Sequence, residues 1–478
     1  MAGLATAVRL RLLGYEVDVY EAADGPGGKL SQFELGGYRF DAGPSLFTMP
    51  QYVEELFEAA GERTEDYFTY ERLPVVCHYF WEDGTTLDAH ADPEQFAQAV
   101  EEQLGEPAAH VRKMLRRGEK KYRLTGRTFL EKSLHRRSTW LTGAVAKAML
   151  NLPTLQVLTD MHTAHERAFD NPKVVQLFDR FATYNGSNPY KASAMLTMIP
   201  HFEHGMGAYL PKGGMYAITE SIYELGRRHG VRYHFGTRVD EILTEQDTAI
   251  GLRIGNSAHD YDTIVSNVDV YFTYKHLLPE EEHPERILNR EKSTSALIFY
   301  LGVRRPFEEL GVHNIFFSDD YKAEFEALAR GEVSDDPTVY INITSKGDPD
   351  DAPEGGENWF VMVNVPHNSG QDWDALTERI RSQMLAKVSR VLGVDVARFI
   401  EVEDTLDPRS IEQRTGSHLG ALYGSSSNDR MSAFMRHPNF NNRISNLYFC
   451  GGSVHPGGGI PLCLLSARIT AEEVARAR

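Results

Sequence analysis

The sequence has little cysteine and no long apolar run. Its three cysteines, Cys77, Cys450 and Cys463, lack the spacing of a zinc site and are too few to form a disulfide framework in 478 residues. We therefore expect a reducing compartment and no metal centre. No signal peptide is visible, and no stretch of about eighteen apolar residues could span a bilayer. These absences predict a cytoplasmic protein whose contact with any membrane is peripheral.

Positive charge is also scarce, which argues against nucleic-acid binding. The chain has 50 Lys and Arg against 68 Asp and Glu, a formal net charge of −18. The exception is residues 110–150, where twelve Lys or Arg residues stand against only Glu119 and Glu131. The following stretch, 135–158, places Trp140 and then apolar residues beside these cations. This pattern is typical of a segment that lies on an anionic lipid surface, although a solvated helical face would look similar.

The first residues resemble the second half of a dinucleotide-binding βαβ unit. An apolar stripe at helical spacing covers residues 2–13, Gly14 makes a turn, and a short strand ends in Glu21. In the fingerprint G-x-G-x-x-G, glycines let the backbone approach a pyrophosphate, and an acid about 20 residues later binds a ribose. Gly3 stands at the third glycine and Glu21 follows 18 residues later. We expect that a first strand and two glycines precede this sequence and that Met1 is an internal methionine, although an ordinary N-terminal helix and strand is the simpler alternative.

The remaining pattern predicts an α/β protein with two interleaved parts. Residues 75–89 alternate like paired strands, residues 92–180 are mostly helical, and 290–430 contain strand-like runs separated by helices. We predict a discontinuous Rossmann-like dinucleotide-binding domain with an inserted α+β substrate domain of helices and a mixed sheet. The predicted nucleotide domain comprises 1–75, 205–270 and 436–478, and the predicted substrate domain comprises 76–204 and 271–435.

The most specific motif is a glycine loop near the C-terminus. Residues 451–461 read GGSVHPGGGIP, between the apolar flanks LYFC and LCLLSA. Five glycines in a turn between a strand and a helix suit close approach of the backbone to a large planar ligand. A flexible loop is the alternative, but the apolar flanks favour a buried turn.

Three stretches together resemble the phytoene desaturase family of bacterial carotenoid desaturases, within the flavin amine oxidase superfamily. They are residues 25–44, which include GPGGK and GYRFDAGP, residues 210–239, which begin LPKGGM, and the strand and loop at 447–461. The resemblance covers essentially the whole chain and implies FAD, a carotenoid substrate and peripheral membrane attachment. It departs from the family only in the absent first strand and G-x-G.

The resemblance also assigns residues to the cofactor. Gly3 and Glu21 would face the pyrophosphate and the adenosine ribose, and Val239, in a strand predicted at 238–243, would meet the adenine. The other residues expected to bind FAD lie along its path and beside the flavin ring: Gly27, Gly28, Lys29, Gly451, Gly452, Gly459, Ile460 and Pro461.

Desaturation removes a hydride and a proton from adjacent carbons, so FAD carries the redox chemistry and a strong base need not appear. No catalytic dyad stands out. The candidates are Asn185, His201 and Glu203, in two polar stretches around an apolar run, and His455 in the glycine loop. The polar stretches could bind a hydroxylated chain end or accept the proton, but loops that cap helices would look the same.

The sequence leaves two candidate substrates and one non-enzymatic alternative. The motifs at 184–190 and 451–467 favour the 1-hydroxycarotenoid 3,4-desaturase type over phytoene desaturases, which make lycopene-type products. The other class is a non-catalytic isoprenoid-lipid-binding protein of the GDP-dissociation-inhibitor type. For an enzyme, the expected electron acceptor is a quinone or oxygen.

Overall fold

The computed structural model describes residues 1–429 and 436–477, so residues 430–435 of the predicted substrate domain and residue 478 lie outside the described residues. The strands are β1 (Asp18–Tyr20), β2 (Ser31–Leu35), β3 (Tyr38–Ala42), β4 (Phe47–Thr48), β5 (Tyr70–Arg72), β6 (Val75–Phe80), β7 (Thr86–His90), β8 (Ala208–Pro211), β9 (Arg232–His234), β10 (Glu241–Glu245), β11 (Thr248–Ile254), β12 (Ser257–Asp260), β13 (Ile264–Ser266), β14 (Ser295–Val303), β15 (His313–Phe316), β16 (Val339–Ile343), β17 (Glu357–Val365), β18 (Ile400–Leu406) and β19 (Leu447–Phe449).

The helices surround these strands, with the longest ones at 108–129, 373–392 and 460–476. They are α1 (Ala2–Leu12), α2 (Gln51–Ala59), α3 (Pro93–Leu104), α4 (Ala108–Phe129), α5 (Arg137–Trp140), α6 (Gly143–Leu150), α7 (Leu152–Leu155), α8 (Met161–Glu166), α9 (Pro172–Asp179), α10 (Pro200–His204), α11 (Tyr216–Arg228), α12 (Val270–Phe272), α13 (Glu285–Leu288), α14 (Tyr321–Ala329), α15 (Trp373–Leu392), α16 (Pro408–Thr415) and α17 (Ile460–Arg476). Two short 3₁₀ helices, Arg180–Asn185 and Ala194–Met198, lie between α9 and α10.

A mixed sheet of seven strands forms the centre of the predicted substrate part. Its order is β18-β14-β17-β16-β15-β6-β7, and neighbouring strands are antiparallel except for β15 and β6. The nine residues of β14 are all buried because helix α15 covers one face of the sheet, where Trp359 and Trp373 are each 1% exposed, while the hairpin β2-β3 packs on the other face. The predicted mixed sheet and the pairing within 75–89 are both confirmed.

The strands of the predicted nucleotide-binding part form two separate parallel pairs. Strand β1 pairs with β9, and β13 pairs with β19; among the described residues neither pair gains a further strand in its sheet. An antiparallel meander, β10-β11-β12, connects the two halves along the chain. All three residues of β1 and all three of β13 line one cavity, so the two pairs face each other across it.

Asp41 connects the GYRFDAGP motif to the LPKGGM motif, which lies about 170 residues later in the sequence. Its buried carboxylate accepts hydrogen bonds from the backbone N–H groups of Met215 (2.9 Å) and Tyr216 (3.1 Å) at the start of α11. The Arg39 guanidinium donates to Asp41 at 3.1 Å and also to Asp351. Strand β3 is therefore tied both to a helix N-terminus and to the seven-stranded sheet.

We expect Asp41→Ala to lower the free energy of unfolding by about 2–4 kcal/mol, because two helix N–H groups lose their acceptor and the half-buried Arg39 guanidinium loses one of its two carboxylate partners. Denaturant unfolding followed by circular dichroism measures this loss. Asp66→Ala, at an exposed carboxylate, is the matched control and should change stability by less than about 0.5 kcal/mol. Equal midpoints for the two variants would contradict the assignment.

Candidate functional site

A single cavity of about 2190 Å³ runs between the two parts of the molecule. One ligand of ordinary size occupies a pocket of about 300–1,000 Å³, so this cavity has room for a cofactor and a second large ligand. The structure brings every residue predicted to bind FAD to its wall: Gly3, Glu21, Gly27, Gly28, Lys29, Val239, Gly451, Gly452, Gly459, Ile460 and Pro461.

Two helices open into this cavity with their N-terminal ends. Ala2 and Gly3 of α1, and Ile460 and Pro461 of α17, line its wall, and neither helix has a side-chain cap. Uncapped N–H groups and the helix dipole favour a negatively charged ligand at each place. The two ends suit the two anionic parts of a flavin dinucleotide, the pyrophosphate and the reduced ring.

The glycines leave the cavity wall bare where a cofactor would touch it. A Cβ at Gly28 or Gly459 would have no protein atom within 4 Å, so both positions face open space. Gly459 has φ +104° and ψ 151°, a conformation that only glycine adopts easily. At Gly43 the reason is different, because a Cβ there would lie 1.8 Å from the Lys29 carbonyl oxygen.

The predicted adenosine end lies where β1 ends. The Glu21 carboxylate accepts a hydrogen bond from the Ala23 N–H at 2.9 Å, and the Glu21 carbonyl accepts one from Thr237 at 2.8 Å. The predicted strand at 238–243 is wrong by three residues, because β10 begins only at Glu241. Val239 therefore lines the cavity from the segment that precedes the strand. There its backbone N–H and C=O groups are not used in strand pairing.

Two cations lie beside the glycine loop. Lys29 projects into the cavity, where its enclosure lowers the pKa of the ammonium group, and its Nζ donates to the Leu422 carbonyl at 3.4 Å. Arg436, which the sequence analysis missed, is buried and donates to the carbonyl oxygens of Tyr423 (2.8 Å) and Gly452 (3.4 Å). Arg436 therefore holds the loop through two backbone carbonyls, and no local pattern in the sequence distinguished it from the neighbouring arginine Arg443.

The rest of the cavity is an apolar arm. It extends from the glycine loop between the seven-stranded sheet and the short helices before β8, and it also reaches the end of α4. Its wall contains Met195, Leu196, Met198, Ile199, Phe202, Ile298, Phe360, Met362, Leu406, Phe129 and Leu130. An arm of this composition suits a water-insoluble chain more than a polar metabolite.

The structure separates the four candidate catalytic residues into two groups. Asn185 and Glu203 line the apolar arm, whereas His201 and His455 do not line the cavity. The His455 ring is buried, which lowers its pKa to about 4, and Nε2 donates to the Lys132 carbonyl at 2.9 Å. His455 therefore tethers the glycine loop to the segment after α4, and a role at the flavin ring remains an untested prediction.

Sequence reasoning missed three further residues of the arm: Arg180, His313 and Tyr423. Arg180 could have been found, since it is a lone cation between Phe178 and Phe181 in an apolar run. His313 and Tyr423 gave no local signal because they reach the cavity only through sheet pairing and loop packing.

Comparison with known proteins agrees with this geometry. The sequence matches the family described as flavin containing amine oxidoreductase over residues 1–475. The chain belongs to this family. Together with its relatives, this makes the protein an FAD-dependent oxidoreductase, and the alternative of a non-catalytic lipid-binding protein is dropped.

Two curated relatives span almost the whole chain. The 1-hydroxycarotenoid 3,4-desaturase of Flavobacterium sp. (strain P99-3) is 48% identical over 473 residues, covering 99% of this chain and 96% of that protein. The 4,4'-diaponeurosporene oxygenase of Staphylococcus haemolyticus (strain JCSC1435) is 30% identical over 479 residues, covering 99% and 95%. Among solved structures, wild-type putrescine oxidase bound to putrescine shares the fold, with a TM-score of 0.64 at 14% identity and coverage of 100% and 97%.

We expect Gly459→Ala to reduce FAD affinity at least about tenfold, because the side chain strains the backbone and enters the cradle. The ratio of bound flavin to protein, read from the visible spectrum, measures the loss. Gly393→Ala is the matched control, since Gly393 has a left-handed φ of +66° and open space but ends α15 away from the cavity. Full flavin occupancy in Gly459→Ala would contradict the assignment.

Proposed function

We propose that this protein is a carotenoid desaturase and that it converts a 1-hydroxycarotenoid into the 3,4-didehydro product. The observation that carries the proposal is the apolar arm, which is continuous with the wall suited to FAD. The 48% identity to a protein of that activity over 99% of the chain supports the choice of reaction. Desaturation of phytoene to lycopene-type products is the second candidate, since the same arm accepts an acyclic hydrocarbon.

The reaction removes a hydride and a proton from two neighbouring saturated carbons and leaves a new double bond. Bound FAD supplies the hydride acceptor, and a quinone or oxygen would take up the electrons afterwards. The protein's own residues exclude water from the polyene, hold the reacting carbons in place and leave the positive charge to spread along the conjugated chain. A strong base beside the reacting carbons is not required for this reaction.

We also propose that the protein takes its substrate from a membrane surface. Across residues 1–429 and 436–477, no helix is both long enough and apolar enough to cross a bilayer. Six large apolar side chains of 140–158 are instead exposed, among them Leu141 at 86%, Leu150 at 85% and Leu158 at 76%. The cavity reaches Phe129 and Leu130, only ten residues before this patch. A helical segment that lies on the lipid would place the arm within reach of a dissolved carotenoid.

The basic residues of 110–150 contribute less free charge than the sequence indicates. Lys121 is 1% exposed and donates to Gln156 (3.0 Å), Thr197 (2.8 Å) and the Ala194 carbonyl (2.6 Å). Arg136 pairs with the buried Glu473 at 2.6 Å. The proposed membrane contact therefore rests on the exposed apolar side chains together with the remaining cations.

Anaerobic mixing of the FAD-loaded protein with vesicles that contain a 1-hydroxycarotenoid should bleach the oxidised flavin spectrum. The carotenoid absorption should shift to longer wavelength, because one more double bond joins the conjugated chain. Vesicles with a saturated hydrocarbon are the control. An unchanged flavin spectrum with both the 1-hydroxycarotenoid and phytoene would refute the desaturase proposal, and reduction by phytoene alone would favour the second candidate.

The triple variant Leu141→Ser, Leu150→Ser, Leu158→Ser should lose most of its binding to anionic vesicles in a sedimentation assay, because each exposed leucine loses an apolar contact. The control variant is Leu13→Ser with Ile250→Ser, two exposed apolar residues outside the patch. Unchanged pelleting of the triple variant would argue against the membrane contact.

A further inference from the structure

A buried ion pair lies in the wall of the apolar arm. A pure hydrocarbon has no polar group that could interact with it. Arg180 is 8% exposed, Glu203 is 1% exposed, and both line the cavity. Arg180 Nη2 donates to both Glu203 carboxylate oxygens, at 3.2 and 3.1 Å. Burial raises the pKa of Glu203, and the Arg180 charge opposes this shift. Removing two charges from water is costly, so the pair calls for an explanation.

Aromatic rings hold the guanidinium in place but leave one donor unused. The Arg180 Cζ atom lies 4.3 Å from the ring centroid of Phe181, 5.3 Å from that of Tyr79 and 5.6 Å from that of Tyr184. These contacts and Glu203 fix the side chain. The Arg180 Nε–H is buried and has no hydrogen-bond partner in the described part of the protein. A buried, unpaired donor on a charged group is costly unless a ligand accepts from it.

His313 supplies a second unused donor in the same cavity. Its Nδ1 lies 3.2 Å from Asn342 Nδ2, an amide donor that also bonds the Val312 carbonyl, and 2.8 Å from the Tyr340 hydroxyl. Nδ1 is therefore the acceptor, and the proton of the neutral ring is on Nε2. Burial lowers the pKa of His313 to about 3, with Arg180 adding to the shift, so the ring stays neutral. Nε2 is buried without a partner among the described residues.

Asn185 completes the set with an acceptor. Its Oδ1 is buried without a partner in residues 1–429 and 436–477, and Asn185 ends the 3₁₀ helix that Arg180 begins. The next residue, Gly186, contacts the Tyr423 ring, and the opposite edge of that ring contacts Gly458 of the glycine loop; a Cβ at either glycine would lie 3.0 Å from it. The Tyr423 ring therefore lies between Gly186, which follows Asn185, and the glycine loop at which the flavin ring is expected.

We propose that Arg180 Nε, His313 Nε2 and Asn185 Oδ1 bind the hydroxyl group of a 1-hydroxycarotenoid and so select the hydroxylated end of the polyene. This inference rests on the proposed function. A hydroxyl group has two acceptor lone pairs and one donor, which match two unused donors and one unused acceptor. Only one carbon separates C1 from C3, so a hydroxyl bound in the arm fixes where C3 and C4 lie within it. Glu203 is the positioning residue that holds Arg180.

The test compares two polyenes that differ only in the hydroxyl group, each in neutral vesicles with the FAD-loaded protein. Anaerobic flavin reduction is followed over a range of carotenoid concentrations, which separates the half-saturation concentration from the limiting rate. The main variant is Arg180→Met with Glu203→Gln, which leaves no lone buried charge; Asn185→Leu and His313→Phe are tested singly. Lys387→Met is the matched control, because Lys387 is equally buried but lies on α15, outside the cavity wall.

The wild type should prefer the hydroxylated polyene about 100-fold or more, since unpaired polar groups reject the analogue. The double variant, Asn185→Leu and His313→Phe should each lower this preference at least tenfold, measured as the ratio of limiting rate to half-saturation concentration on one polyene divided by the same ratio on the other. Lys387→Met should keep the wild-type preference. Variants that bind FAD and keep the wild-type preference would overturn the inference. A wild type whose flavin neither polyene reduces would instead overturn the proposed function.

Discussion

The site depends on two helix N-termini that are held side by side and aimed into one cavity. Helices α1 and α17 share one apolar core, in which Ala5 and Val8 of the first meet Leu465 and Ala467 of the second. Because the two helices cannot move apart without exposing this core, their free N–H groups keep a fixed separation. A dinucleotide with negative charge at two places along its length matches such a fixed pair of electropositive ends.

Local patterns predicted most of the fold and the cofactor side of the site. The strand pair within 75–89 and the helical character of 92–180 follow from turn chemistry and periodicity, and the structure confirms both. The glycine loop was recognisable because close approach to a flat ligand restricts a whole stretch to one residue type. Val239 was misplaced relative to its strand, since strand ends depend on which partner is available across the meander.

The substrate side was harder to predict, because its residues come from distant parts of the chain. Arg180 and Glu203 meet across 23 residues, and His313 enters from the start of β15, an interior strand between β16 and β6. No spacing rule connects them. Two cations of 110–150 were mispredicted for the same reason. Composition alone counts Lys121 and Arg136 as free surface charges, but in the folded protein both bond to buried groups.

The pairing of Arg180 with Glu203 has an electrostatic consequence for any reaction in the arm. Loss of a hydride leaves a cation on the polyene, and an isolated guanidinium nearby would oppose its formation in a medium with little water to screen it. The neighbouring carboxylate cancels that field while leaving the N–H donor free. The ion pair can therefore recognise a polar group by hydrogen bonding without repelling the positive charge that the chemistry creates.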